Sequence, residues 1–128
     1  MPRRLTLAVE DAVVAVCRLS ADAAIPTWAL AGGFCSITRT ADELSIVCAD
    51  DQRIPAGVQC ERGWRLLRVA GTQAFALTGI LSAVLEPLAS AGISIFAVST
   101  FDTDYVLVKS ESFEQALAAL REAGHTIR

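Results

Sequence analysis

The sequence predicts an α+β fold, with antiparallel strands in one layer and helices covering one face of it. Residues 64–124 alternate strand-like and helix-like hydrophobic patterns in the order β-α-β-β-α. An echo of part of that order lies sixty positions earlier. The chain has 128 residues, 53% hydrophobic and 20% charged, enough to fill a core without disulfides or metal.

Residues 5–9 and 12–19 read as two β-like runs around Glu10 and Asp11, the second apolar on both faces as in an interior strand. Pro26 opens a short helical piece over 26–30, which Gly32 and Gly33 end. Residues 34–38 and 44–49 read as strands joined by a tight polar connection. Residues 50–63 carry Asp50, Asp51, Pro55, Gly57 and Gly63, and read as an irregular linker or partial strand. A strand is expected over 64–69, ending at Gly71.

The apolar positions Leu77, Ile80, Leu81, Val84, Leu85 and Leu88 repeat one face of a helix. Pro87 interrupts it and predicts a bend or a shortened last stretch, with Gly92 as a left-handed cap. Strands follow over 93–98 and 105–108. Ser110 is the expected N-cap of a final helix with Phe113, Ala116, Leu117 and Leu120 on its buried face, closed by Gly124. Trp28 and Trp64 are expected in the core or at an interface.

This order is the split β-α-β arrangement of ferredoxin-like domains, lacking only a last strand. Residues 126–128 are barely long enough to supply it, so it is expected from there or from elsewhere in the chain. Thr40, Asp42 and the strand after them match Thr100, Asp102 and theirs, each following a glycine-led strand (Gly33, Gly92). The expected architecture is therefore two βαββαβ-like units side by side. Residues 1–62 form a degenerate N-terminal subdomain and 63–128 the complete one.

A net charge of −3, a pI near 5.0 and 11 scattered Lys and Arg point away from nucleic acid, whose partners carry a basic stripe. The apolar stretch before Glu10 is too short for a secretory core, and no run is long enough to span a bilayer. No membrane partner and a cytoplasmic location are expected. Cys17, Cys35, Cys48 and Cys60 are widely spaced, with no paired ligand motif. The first three sit in apolar runs, where a thiol acts as a small hydrophobe, so no metal or disulfide is expected.

The run Gly79-Ile80-Leu81-Ser82-Ala83-Val84-Leu85, followed by Leu88-Ala89-Ser90-Ala91-Gly92-Ile93-Ser94-Ile95, resembles the ACT-domain pattern. The longer run 91–108, with Gly32-Gly33-Phe34 and residues 38–47, is similar to small bacterial tandem-ACT proteins related to the CASTOR-type arginine sensors. One departure is Ala76, where ACT domains commonly place an Asp. The resemblance implies a regulatory sensor of an amino acid or similar small molecule, without cofactor, read by a separate downstream protein. It also implies pairing of units, with a homodimer as one form, and a ligand at the border between a first-helix entrance and the second strand of a neighbour.

A free amino acid brings a carboxylate and an ammonium that both need partners when water is excluded. The entrance of the first long helix offers unpaired N–H groups and the positive end of its dipole, which singles out Thr78, Gly79 and Ile80. Ser94 and Ile95 add main-chain donors and acceptors. Thr100, Asp102 and Asp104 offer a hydroxyl and two carboxylates to the ammonium. Structural readings stand beside these: Gly79 for close packing, Asp102 as a turn residue, Ser94 bonded to backbone. Asp104 opens a strand, where Asp is disfavoured, which points to a specific partner.

Catalysis is not expected. His125, the only histidine, stands near the C-terminus with no nucleophile motif around it, and no phosphate-cradling glycine run occurs. The rival is a protein-interaction module or homodimerising ferredoxin-like domain with no small ligand.

Overall fold

The apolar runs on either side of Glu10 and Asp11 form one strand, β1 (Thr6–Leu19), rather than two. Glu10 does not interrupt it because Arg68 Nε donates to its carboxylate at 2.9 Å. The computed structural model describes residues 4–70 and 79–128. The chain divides into two compact units, Met1–Asp11 with Arg65–Arg128, and Ala12–Trp64. Residues 6–11 of β1 thus belong to the first unit and 12–19 to the second.

In the Ala12–Trp64 unit, Pro26 caps a single 3₁₀ turn (Thr27–Leu30) where the helical piece is expected. Gly32 follows with φ 92°, and a Cβ there would meet the Ala49 Cβ at 2.9 Å, so both its freedom and its small size are used. Strands β2 (Ser36–Arg39) and β3 (Leu44–Ala49) come next. Cys35, expected inside a strand, is exposed just ahead of β2. β1 and β3 are antiparallel, from Val14 opposite Ala49 to Leu19 opposite Leu44, and β2 pairs with the other edge of β3. The period-2 pattern puts Ala15, Cys17, Leu44, Ile46 and Cys48 on one face, where they pack with Ala29, Ile54 and half-buried Trp28 and Cys60.

Residues 50–63 are more ordered than their composition suggests. A turn ends in β4 (Gln59–Val69), which begins five residues before the strand expected from Trp64. Asp50 organises the approach: its carboxylate accepts from the Gly63 N–H at 2.8 Å and from Arg62 Nη1 at 2.6 Å. Arg53 hydrogen-bonds the Asp51 carboxylate and holds it below the usual carboxylate range. Exposed Glu61 and Arg62, with a positive φ at Gly63, hide this strand from a pattern search. The strand order of the unit is β2-β3-β1-β4.

The other unit continues from β4 to α1 (Ile80–Ser90), β5 (Ile95–Ser99), β6 (Asp104–Lys109), a 3₁₀ turn (Ser110–Ser112), α2 (Phe113–Glu122) and β7 (Thr126–Ile127). Ser112, not Ser110, is the N-cap of α2, because the chain spends Ser110 in the 3₁₀ turn. Its strand order is β1-β4-β6-β5, with β5 and β6 antiparallel. Ile80, Val84 and Leu88 of α1 and Phe113, Ala116, Leu117 and Leu120 of α2 bury against Leu67 and Val69 of β4 and Val106 and Val108 of β6. Both helices therefore cover one face of an antiparallel sheet: the fold is ferredoxin-like, as expected.

The last strand position is filled by the chain's beginning. The Ala70 N–H donates to the Thr6 carbonyl at 2.8 Å, so β1 lies beside β4. The short C-terminal β7 adds in parallel to the far side of β1, Thr6 opposite Thr126. This pairing groups residues 1–11 with the C-terminal half of the chain rather than with 12–62.

The helix α1 continues through Pro87 to Ser90. Proline has no N–H, so the Ala83 carbonyl loses its helical donor. His125 replaces it: Nε2 lies 2.8 Å from the Ala83 carbonyl, while Nδ1 accepts the Leu5 N–H at 3.1 Å. These partners define a neutral imidazole protonated on Nε2. One buried ring thus joins α1, the N-terminal strand and the C-terminal segment, and repairs the bond that Pro87 removes.

Candidate ligand-binding site

The sequence-derived site residues fall in the Arg65–Arg128 unit, apart from Thr78, which lies outside the described residues along with Leu77 and Ala76. Gly79 stands at the N-cap of α1 with φ 80°, a left-handed conformation that glycine adopts without strain. Among the described residues nothing lies within 4 Å of a Cβ built there, so close packing against them is not what requires a glycine. Ile80 is buried in the core, and only its backbone can face a ligand.

The β5–β6 hairpin reaches the same end of the unit. The Thr100 N–H donates to the Thr103 carbonyl at 2.8 Å, and the Thr103 N–H donates to Thr100 Oγ1 at 3.2 Å. Thr103, which sequence reasoning passed over, is buried, and its hydroxyl donates to the Val69 carbonyl at 2.7 Å. This bond fixes the hairpin to the end of β4, from which the chain runs on towards α1. Asp104 has the specific partner expected of it: Ser99 Oγ donates to its Oδ1 at 2.5 Å. Ser99 was also missed, because a serine closing a strand carries no signal until its register opposite Asp104 is known. Asp102 and Phe101 form the exposed tip, with Phe101 80% exposed.

Ser94 and Ile95 are elsewhere. They follow the C-terminal end of α1, which is eleven residues and about 16 Å long. From Ile95 to Ser99 the strand covers about 13 Å. One end of the unit thus holds Gly79, Ile80, Thr100, Asp102 and Asp104, and the opposite end holds Ser94 and Ile95. Ser94 is exposed and Ile95 half-buried against the core.

Among the described residues no group of three His, Cys, Asp or Glu side chains is suited to a metal ion. No helix among them is long and apolar enough to cross a membrane. His125, the residue an enzymatic reading would need, has both ring nitrogens engaged by backbone groups.

A ferredoxin-like sheet with both helices on one face is a frame shared by many domains, and comparison with known proteins bears on which family this one joins. The model of the ACT domain matches residues 59–122, and a second model, described as an N-terminal domain, matches 13–57. The chain belongs to the ACT-domain family. Protein Atu0741 from Agrobacterium tumefaciens is 48% identical, covering 98% of this chain and 93% of its own, with a TM-score of 0.92. Two more distant structures share the fold. Clostridium acetobutylicum aspartate kinase is 16% identical over 91% of this chain and 33% of its own, with a TM-score of 0.66. The regulatory subunit of aspartate kinase from Thermus thermophilus, in a ligand-free form, is 14% identical over 95% of this chain and 99% of its own, with a TM-score of 0.60.

Proposed function

We propose that the chain is a non-catalytic, cytoplasmic regulatory protein of the CASTOR-type branch that binds an amino acid and passes its state to a separate protein. The observation carrying this reading is the open, left-handed Gly79 at the entrance of α1, at the same end as the Thr100–Asp104 connection. The main-chain N–H groups there suit a carboxylate. Asp102 and Asp104 suit an ammonium. Ser94 and Ile95 lie too far away, within one unit, to touch the same small molecule. The proposed arrangement therefore has a second copy supplying them, in a homodimer whose ligand bridges two chains.

The test is a set of melting curves with each of the twenty amino acids at millimolar concentration. At roughly 100-fold excess over its Kd, a true ligand adds about 2.7 kcal/mol of apparent stability. Asp104→Ala should lose that shift while Asp22→Ala, at an exposed turn, keeps it. No shift with any amino acid would remove the sensor reading. The second reading, a homodimerising module without ligand, is favoured by β5. This strand ends the strand order of its unit, with Ile95, Phe96 and Val98 half-buried. A dimer in sedimentation that no amino acid alters would support it.

A further inference from the structure

His125, the chain's only histidine, is 5% exposed and lies where three segments meet. Its Nδ1 accepts the Leu5 N–H at 3.1 Å, and its Nε2 lies 2.8 Å from the Ala83 carbonyl. Its own main-chain N–H donates to the Leu120 carbonyl of α2. The Thr126 N–H beside it returns to the Leu5 carbonyl at 2.9 Å, opening the ladder between the N-terminal strand and residues 126–128. On the α1 side, the Ala83 N–H donates to the Gly79 carbonyl at 3.0 Å. The ring thus stands between the β1–β7 pairing and the first turn of α1, and both of its partners are uncharged backbone groups. The charged side chains on the segments packed round it are Arg4 before β1, Glu86 on α1, Arg121 and Glu122 on α2, and Arg128, all exposed. Of these, Arg4 touches the turn that carries the ring, its Nε 3.2 Å from where a Gly124 Cβ would lie.

We propose that His125 is an acid-sensitive latch: its neutral ring holds residues 5–9, residues 126–128 and the first turn of α1 together, and its protonation releases them. The Nδ1 lone pair is the acceptor for Leu5, and a proton placed on it leaves two donors facing each other. The charge would sit in a buried place whose hydrogen-bond partners are neutral, a cost that drives the ring towards solvent. Its departure strands the Leu5 N–H and the Ala83 carbonyl, and Pro87 has no N–H to offer the latter. The sign follows from proton linkage. The unfolded chain takes up the proton freely and the latched arrangement has no place for it, so stability is lost as pH falls. No second imidazole titrates alongside it. The final step, loosening of the Gly79 entrance and weaker ligand binding in acid, rests on the ligand-binding reading; the latch itself does not.

The experiment follows the full-length protein by NMR from about pH 8 to about pH 5, the range in which imidazole changes charge, with the histidine ring and the backbone amides labelled. Equilibrium denaturation over the same range compares it with His125→Gln, which keeps an acceptor and a donor but does not titrate. Solvent exchange of the Leu5 and Thr126 amides, corrected for its intrinsic pH dependence, should rise in acid. The unfolding constant should grow faster than that of His125→Gln, by up to about tenfold per pH unit, the limit for one proton. Parallel pH profiles in the two proteins would overturn the proposal. So would an imidazole that takes up its proton while the Leu5 and Thr126 amides stay protected, an outcome read without any variant. Melting curves with the twenty amino acids at both ends of the range keep the two readings apart. A shift that shrinks in acid only when His125 is present supports the final step, and a shift indifferent to pH overturns it. No shift at either pH removes the ligand reading, while the amide exchange still decides the latch.

Discussion

The hairpin turn at Thr40 and the one at Thr100 are held by the same bonds, sixty positions apart. In each, the threonine N–H donates to the carbonyl three residues on, at 2.9 Å to Glu43 and 2.8 Å to Thr103. In each, its hydroxyl accepts the returning N–H of that residue at 3.2 Å. The strand orders also correspond, β4-β1-β3-β2 in one unit and β1-β4-β6-β5 in the other. What differs is the covering layer. The Arg65–Arg128 unit lays two helices on its core, whereas the Ala12–Trp64 unit has a single 3₁₀ turn and the Asp50–Arg62 and Asp51–Arg53 pairs. The comparison teaches that this strand order can stand without covering helices where small residues, thiols and a tied-down turn pack on the sheet face.

The largest test of that contrast lies in the helical unit. His125→Ala leaves the Ala83 carbonyl and the Leu5 N–H without partners, which should cost about 2–3 kcal/mol in equilibrium denaturation. In a Pro87→Ala background the new N–H at 87 can pair with Ala83, so the loss should shrink by about 1 kcal/mol. Additive losses in the double-mutant cycle would show that His125 does not repair the proline.

Gly32 and Gly79 sharpen the comparison at an intermediate scale. Both have positive φ, and alanine at either should cost about 1–2 kcal/mol of backbone strain. Only at Gly32 does the added Cβ also meet a neighbour, so Gly32→Ala should be the more destabilising. Equal losses would mean that the strand end at Ala49 yields freely.

The smallest effects belong to the turns. Thr40→Val and Thr100→Val remove matching hydroxyl bonds, and each should lower stability by about 0.5–1 kcal/mol. Thr103→Val should cost more, because its hydroxyl partner, the Val69 carbonyl, is buried with it. Hairpins that respond very differently at Thr40 and Thr100 would break the parallel between the units.

Much of this was legible from local pattern. The α1 and α2 faces follow a three-and-four spacing, Gly92 has the left-handed φ of 75° expected of a cap, and Leu44–Ala49 is the strand anticipated. Errors cluster where a distant partner overrides local chemistry. Glu10 and Asp11 looked like a break until Arg68 was placed beside Glu10, and 59–63 looked irregular until Asp50 was seen to hold Gly63. Within the candidate site, the sequence marked the helix entrance and the acidic hairpin but had no means of separating them from Ser94. That separation depends on the direction in which β5 runs back along α1.

The residues by themselves determined that strands and helices alternate, where they lie, and that their apolar faces build a ferredoxin-like layer pair, because hydrophobic period is a property of neighbours along the chain. Tertiary structure decided which strand fills the empty sheet edge, which cysteines share a sheet face, and why the helix survives Pro87. Each of these is a pairing between residues 31–120 positions apart, where no local period reaches: Cys48 and Cys17 are 31 positions apart, Ala83 and His125 42, and Leu5 and His125 120.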